Sequence, residues 1–562
     1  MSFRRRNLTL VGTGLTLPHV DGEAQRYNLA TAHLHAAVHA DPALGGVEVR
    51  RLDLPFSLNA PCFDQAVVDE VLSTEPDWLG LSCYCWDLAP LLALAARVKA
   101  LHPPIRIVAG GPSATFEASS LLVNHACLDA VVRGEGELTL RQMLLRDDYR
   151  GVAGVTWRDE QGRVVEELDR AAADLSDLPS PLLEGVLTPP RQNLMFEFSR
   201  GCIYRCTYCA WKGQGPGMRF VSDERVGHEV GWAVEHDYEH AFIIDSAINH
   251  DDSRLERFSA QIARADPTRH LAFSYFVNHS LLSKDQARAL ARLRPHEITV
   301  GLETVNVRAA RAAGRRPVDR DEFIRAMDLL SEVAPATLSI MLGMPGDDLE
   351  GFRSTLDFVA EVAERKGKPR VRMARVHWML IAPGSKMWSL ADRHGLVIAQ
   401  PGVPYVLGSS TFSRDQLIAA LHAMREHPRS DLFVWEDAEP LGMLDPALPS
   451  MFVAGGDHIG GRVARQISQT EVLQAIRPLE PGRWLRHEWR VGAFEHRHGW
   501  PVVVLEGPGN KRVMLQIRPR DAEPRPLART RRFDLVWLPS GGEGPEQHRL
   551  VKALVELIRS NE

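Results

Sequence analysis

Short apolar runs and amphipathic stretches alternate from the start of the chain. NLTLVG (7–12), VEVRRLDL (47–54), WLGLSCY (78–84), IRIVAGG (105–111) and LDAVVRGEGE (128–137) have the length and composition of buried strands. Between them, residues from about 27 to 40 and LAPLLALAARVKAL (88–101) carry apolar positions at helical spacing. This alternation predicts a parallel, doubly wound α/β sheet. Such sheets bind ligands at the carboxyl ends of their strands. Here those ends are residues 12–14, 82–86, 110–113 and 134–137.

GVAGVTWRDEQGRVVEEL (151–168) predicts a hairpin turning at 159–162, and DLSDLPSPLLEG (174–185) an extended connection. Residues 149–190 therefore read as a linker after a first domain of residues 1–148. A second alternating block begins at LMFEFSRG (194–201). It continues through AFIID (241–245), LAFSYFV (271–277), EITVGLET (297–304), ATLSIMLGMPG (336–346) and VRMARVHWMLIAPG (371–384). Helical patterns such as KDQARALARLR (284–294) and DEFIRAMDLLSEVA (321–334) separate these strands. Six strand–helix units predict a partial or full (β/α) barrel over residues 191–408. The character then changes. A helical stretch, four strand-like runs (RHEWRVGAFEH, WPVVVLEG, KRVMLQIRP, FDLVWLP) and a last helix (EQHRLVKALVELIRS) predict a small α+β C-terminal domain over 409–562.

Composition narrows the function classes. Apolar residues are 44% and charged residues 25% of 562, as in ordinary globular proteins. A net charge of −6 lacks the basic excess expected of a nucleic-acid or anionic-membrane binder. The N-terminal arginines are followed by a strand pattern and not by an apolar signal segment. No uncharged apolar stretch is long enough to span a bilayer. A cytoplasmic protein that binds neither nucleic acid nor membrane, and is expected to be a monomer, is the reading these features favour.

Seven cysteines occur, at 62, 83, 85, 127, 202, 206 and 209. The odd number and the absence of any after 209 argue against a disulfide framework. Cys202, Cys206 and Cys209 follow a strand in FEFSRGCIYRCTYCAWKGQGPG, with spacing C-x3-C-x2-C. A compact loop of this kind can place three thiolates on three corners of a cubane iron–sulfur cluster and leave one iron without a protein ligand. An open position of that kind is what catalysis requires. Two other readings exist. Zinc usually takes four protein ligands, and the next histidine is the distant His228. A buried helical stripe fits the i, i+4, i+7 spacing, but Ser199, Arg200, Gly201 and Arg205 do not suit one. Cys83 and Cys85 are expected on one face of a strand, as packing residues.

The C-x3-C-x2-C loop after the first barrel strand, with Tyr208 before the last cysteine, resembles the radical S-adenosylmethionine (SAM) superfamily. DSAIN (245–249), GLETVN (301–306), GMPGDD (343–348) and IAPGSKMW (381–388) are similar to its later strand motifs. The resemblance implies a 4Fe–4S cluster on Cys202, Cys206 and Cys209, whose open iron chelates SAM. It implies that Tyr208 lies by the adenine, that Glu303 and Thr304 lie near SAM, and that Asp245 and Asn249 meet its methionine or ribose part. An external electron donor of flavodoxin or ferredoxin type is implied as well.

A doubly wound domain before such a barrel resembles the cobalamin-dependent branch of the superfamily. GLSCYCWD (80–87), VAGGPSAT (108–115) and VVRGEGE (131–137) carry this resemblance. It implies that Thr13, Gly14, Ser82, Tyr84, Trp86, Gly110, Gly111, Ser113, Gly134, Glu135 and Gly136 surround the corrin. Glycines let backbone approach a flat ring closely. The D-x-H-x-x-G motif that gives cobalt a histidine in several cobalamin proteins is absent, and His19 and His33 lack its context. Tyr84 or Trp86 is then expected at the lower cobalt face. A dinucleotide fold is the competitor, but VGTGLTL (11–17) lacks the third glycine of that fingerprint.

The family implies methylation of an unactivated or aromatic carbon, with the methyl group donated through methylcobalamin. The substrate is expected to be a natural product (antibiotic biosynthesis included), an amino acid such as tryptophan, or a peptide. A cyclase or ring-rearranging oxidoreductase is the alternative, and a cofactor-based sensor the non-enzyme reading. His377 and Tyr275 are the candidate acid–base residues. Trp484, Arg486, Trp489 and Arg490 are candidates for holding a carboxylated or peptide substrate.

Overall fold

The computed structural model describes residues 6–14, 27–55, 63, 65–191, 193–210, 217–399 and 403–435, and the backbone of five later strands between 484 and 538. Cys62, His19, the Gly/Pro-rich segment 211–216, the end of VGTGLTL and the expected last helix lie outside the described residues, as do the side chains of Trp484, Arg486, Trp489 and Arg490. The chain divides into two compact units, the first containing the described residues up to Phe433 and the second those from Val434.

The first sheet is built from β1 (Arg6–Gly14), β2 (Val47–Pro55), β3 (Trp78–Ser82), β4 (Arg106–Gly110), β5 (Ala130–Val132), β6 (Val155–Arg158) and β7 (Val164–Glu166). Its order is β2-β1-β3-β4-β5-β6-β7, with β1 to β5 parallel and β6 and β7 antiparallel. Order 2-1-3-4-5 is the flavodoxin-like pattern, whose switch point lies between β1 and β3. Leu79, Leu81, Ile107 and Ala109 on one face and Trp78 and Val108 on the other are buried, as strands covered on both faces require. The hairpin turn at 159–162 forms as expected, with Gly162 N–H donating to Asp159 O. Its two strands nevertheless extend the first sheet, so that sheet reaches into the expected linker. Strand β3 stops at Ser82, and Cys83 and Cys85 lie in the loop beyond it, which corrects their expected placement on the strand.

The second sheet contains β8 (Leu194–Phe196), β11 (His240–Ile243), β12 (Ala272–Val277), β13 (Arg294–Glu303), β14 (Ala336–Leu342), β15 (Val371–Trp378) and β18 (Phe433–Trp435). The order is β18-β15-β14-β13-β12-β11-β8, and the six strands other than β18 run parallel. It is an open, partial barrel. Between its strands come a two-stranded ribbon of β9 (Ser199–Arg200) and β10 (Arg219–Phe220), and later a second of β16 (Val397–Ile398) and β17 (Val406–Gly408).

Register separates the two faces of this sheet. Tyr275 pairs with Ile298, Ile298 with Ala336, Val300 with Leu338 and Leu338 with Ala374. All are buried. Phe196, on the same face, stacks on Phe198, which meets Phe258 of the helix Asp252–Ala265. That face is the helix-packed one. The other face carries Ser274, Glu297, Thr299, Thr337, Ser339, Arg375 and His377, and is the polar lumen.

The helix Arg414–Glu426 belongs to the first unit, which moves the expected start of the C-terminal domain from 409 to Val434. The second unit holds an antiparallel meander, β19 (Trp484–Arg486) through β20 (Trp489–Arg497), β21 (Trp500–Glu506), β22 (Arg512–Pro519) and β23 (Phe533–Leu538). These strands match the expected runs.

Candidate active site

The loop that follows β8 carries the cysteine triplet. Cys202, Cys206 and Cys209 are each half-buried. Gly201 has φ +100°, and a Cβ there would collide with the carbonyl oxygen of Gly217. A residue with a side chain would therefore open the loop at its neck. Ser246 Oγ donates to Gly201 O at 2.9 Å and holds that neck from β11's end. Three thiolates on one loop fit a cubane, where each sulfur takes a different iron.

Arg315 ties this loop to β13. Its guanidinium donates to Cys206 Sγ at 3.7 Å and Tyr208 Oη at 3.4 Å, lies 3.6 Å from Glu303 Oε1, and donates to Gly301 O at 2.9 Å. Burial raises the Glu303 carboxyl, against the opposing pull of Arg315 and a hydrogen bond from Tyr208. Glu303 has φ +60°, rare for a residue with a side chain. Such strain costs about 1–3 kcal/mol and collects at functional sites. Gly301 makes room for it, since a Cβ there would stand 2.7 Å from Glu303 Oε1. Tyr208 and Glu303 are thus brought together beside the cluster loop.

Other expected residues have different neighbours. Asp245 accepts from Phe198 N at 2.9 Å and Ser199 Oγ at 2.7 Å, and burial pushes its carboxyl up to about 7. It braces the approach to the cluster loop. Asn249 donates to Asn278 O and Gln286 Oε1 and accepts from Asn278 N, pinning β11's loop to β12's end. Thr304 Oγ1 donates to Asp347 at 3.3 Å and accepts from Asn306 N. All three side chains are occupied within the protein. Tyr275 is a correction. It lies on the helix-packed face with its hydroxyl buried and unpartnered, because strand alternation turns it away from the lumen. His377 does face the lumen, one pleat beyond the level of Gly301, Ser339 and Arg375. Burial, then Arg375, pushes it down to about 4.

The loops at the carboxyl ends of the first sheet form a second cradle. Tyr84 and Trp86 stack with centroids 4.7 Å apart and planes at 7°, both half-buried. Burial pushes Tyr84 up to about 12 and the Cys85 thiol up to about 11, and raises Cys83, so both thiols are held in their neutral form. Thr13 Oγ1 donates to Asp87 at 2.6 Å, and Asp87 accepts Tyr84 N at 2.6 Å. Beside Gly14, β1's end therefore anchors the Tyr84–Trp86 turn. Gly111 has φ +95°, and its Cβ would sit 2.6 Å from Cys83 O. Ser113 N donates to Cys83 O, next to Ser82 and Gly110. Gly134, at φ +75°, donates its N–H to Thr115 Oγ1. Glycine-lined backbone and an aromatic pair fit a large planar ring.

The two cradles touch. Arg200, two residues before Cys202, donates to Glu137 at 2.7 Å and to Glu197 at 2.8 Å. Arg219 bonds Glu135, on the other side of Gly136. Met195 N donates to Tyr27 Oη at 2.8 Å. Arg200, Glu137, Asp87 and Arg315 carry this architecture, yet the sequence reading did not single them out. Arg200 adjoins the triplet and Glu137 ends GEGE, so both stood in motifs; Arg315 had no local signal.

Residues 28–144 match the family described as B12 binding domain, and residues 196–359 the radical SAM superfamily. The cobalamin-dependent radical SAM methyltransferase TokK of Streptomyces tokunonensis is 28% identical over 340 residues, 56% of this chain and 50% of that protein. A 2-(S-pantetheinyl)-carbapenam-3-carboxylate methyltransferase of Streptantibioticus cattleyicolor is 26% identical over 413 residues, 66% of this chain and 59% of that protein. The chain thus spans between half and three-fifths of these two relatives. The fold is similar to that of TsrM from Kitasatospora setae, solved with tryptophan and a SAM analogue, at TM-score 0.58 and 16% identity over 80% of this chain and 95% of that one. In one compact unit the chain thus carries a B12-binding domain and a radical SAM domain, the pair found in cobalamin-dependent radical SAM enzymes, whose cofactors are a 4Fe–4S cluster, SAM and cobalamin.

Proposed function

We propose that this chain is a methyltransferase that places a methyl group on an unactivated or aromatic carbon. The observation that carries this reading is the contact between the two cradles, with Arg200 of the cluster loop on Glu137 of the 134–137 turn. A substrate held between them meets both cofactors. When bound, the cluster supplies an electron that cleaves SAM, and cobalamin supplies a metal able to carry a methyl group.

The protein's own groups bind, orient and exclude water. Cys202, Cys206 and Cys209 hold the cluster, and Tyr208, Glu303 and Arg315 line the SAM side. Gly110, Gly111, Ser113, Gly134, Glu135 and Gly136 would receive the corrin, and the Tyr84–Trp86 pair would shield it from water. His377, neutral down to about pH 4, is an acceptor in the lumen at physiological pH. The names of the relatives support a small carboxylated natural product as the substrate class, and the TsrM likeness leaves tryptophan within that class. A flavodoxin- or ferredoxin-type protein supplies the electron.

Anaerobic reconstitution with iron, sulfide and hydroxocobalamin, followed by mass spectrometry of the nucleosides and of a candidate carbapenam or tryptophan, tests this. Methyl transfer yields S-adenosylhomocysteine with a methylated product. 5′-Deoxyadenosine alone, with a cyclised or rearranged product, would overturn it in favour of a cyclase.

A further inference from the structure

The ribbon β9–β10 sets two arginines directly across from one another, Arg200 opposite Arg219. Like charges in facing positions destabilise a two-stranded ribbon. Both find carboxylates on a single turn beside the other sheet. Arg200 reaches Glu137 at 2.7 Å and Glu135 at 3.6 Å, and Arg219 bonds both oxygens of Glu135. Glu197 shares Arg200 and lies 3.5 Å from His33 Nε2. Arg219 also donates to Ala173 O at 2.7 Å. Arg200 and Glu137 are largely withdrawn from water, with side chains 16% and 7% exposed. Buried charges of this kind are costly unless every partner is in place.

Each end of the set is stiffly joined to one cradle. Arg200 precedes Gly201, which has no room for a Cβ, and then Cys202. Glu135 and Glu137 flank Gly136 and follow Gly134, whose N–H is fixed on Thr115 of the neighbouring loop. A shift of the 134–137 turn therefore drags the neck of the cysteine loop, and the reverse holds equally.

We propose that Glu135, Glu137, Arg200 and Arg219 form a latch through which cobalamin binding and cluster assembly depend on one another, with Arg200 and Glu137 as its positioning residues. This rests on the functional reading above, in that both cofactors must bind. Coupling between two sites is reciprocal, and typical values are about 5–150-fold in affinity. Loading the cluster should tighten cobalamin binding by a factor in that range, and cobalamin should slow loss of the cluster to a chelator.

The test uses the full chain under anaerobic conditions. Hydroxocobalamin affinity is measured by visible absorbance with and without the reconstituted cluster, and iron loss to a chelator is timed with and without hydroxocobalamin. Variants are Arg200→Met, Arg200→Lys, Glu137→Gln and the Arg200→Met/Glu137→Gln double, each checked for wild-type circular dichroism. The expected result is a ratio that falls towards one in Arg200→Met and in Glu137→Gln, falls no further in the double variant, and is partly kept by Arg200→Lys. Should Arg200→Met fail to fold, Glu137→Gln and Arg200→Lys carry the comparison. A wild-type ratio of one, or a folded Glu137→Gln variant with an unchanged ratio, overturns the latch while leaving the functional reading intact. No cobalamin binding by the wild-type chain overturns both.

Discussion

Arg315 offers one guanidinium to a cysteine sulfur, a phenol, a carboxylate and a backbone carbonyl. Donors to cluster sulfurs tune the reduction potential, because they stabilise the more negative state. Arg315→Met should therefore make the cluster harder to reduce. Outer-shell losses of this kind typically cost about 10–100-fold in activity. A redox titration followed by electron paramagnetic resonance reads the potential directly; an unshifted midpoint would mean the sulfur contact has no electronic role. Tyr275 gives the opposite expectation. Its hydroxyl is buried and unpartnered, so it is costing stability where it stands. Tyr275→Phe should leave turnover unchanged and raise stability by up to about 1 kcal/mol, read as a higher melting temperature. A large fall in turnover would restore the acid–base role expected from its sequence position.

At the scale of elements, parallel strands deliver side chains to the mouth, and a few polar braces fix the loops that follow. Asp245 is one brace, joining the end of β11 to residues 198 and 199. Its carboxyl titrates at about 7 in the fold against an ordinary value of 3.8, through burial. Between those two values the folded chain holds a proton that the unfolded chain has released. Stability contributed by this group is therefore full below about 4 and falls as pH rises towards 7. Asp245→Asn can keep an acceptor for Phe198 N and remove the titration. The variant should show a flatter melting temperature between pH 4 and 7, measured by thermal unfolding across that range; a slope as steep as the wild type's would assign the pH dependence elsewhere. These elements were largely legible in the sequence, since runs such as 78–84 and 105–111 carry the period and length of buried strands. The roles of Asp245, Asn249 and Thr304 were not. A strand-end polar residue looks the same whether it faces a ligand or a neighbouring loop, and only the fold brings Phe198, Asn278 and Asp347 to them. Arg315 was silent for the same reason, lying 109 positions from Cys206.

Across the whole first unit, the two sheets meet at separate points of different chemistry. One is ionic, at Arg200 and Glu137; another is the hydrogen bond from Met195 N to the Tyr27 hydroxyl. A third is steric. A Cβ on Gly384, in the loop after β15, would fall inside the ring of Phe116 from the first sheet's side of the unit. Gly384 also has φ +80°, a conformation that itself disfavours a side chain. IAPGS was read as a barrel motif, and this second demand on its glycine could not be seen until Phe116 was placed against it. Gly384→Ala therefore incurs both backbone strain and overpacking, each about 1–3 kcal/mol. The two can be separated. Phe116 is partly exposed, so Phe116→Ala alone should cost little, and in the Gly384→Ala background it should return the steric part while leaving the backbone part. Denaturant unfolding of the four proteins gives the coupling energy between the two positions. A favourable coupling means the ring and the glycine are truly in contact, with stability recovering in the double variant. Strict additivity would show that the cost of Gly384→Ala is wholly local to its own turn, and that this point does not help to hold the sheets together.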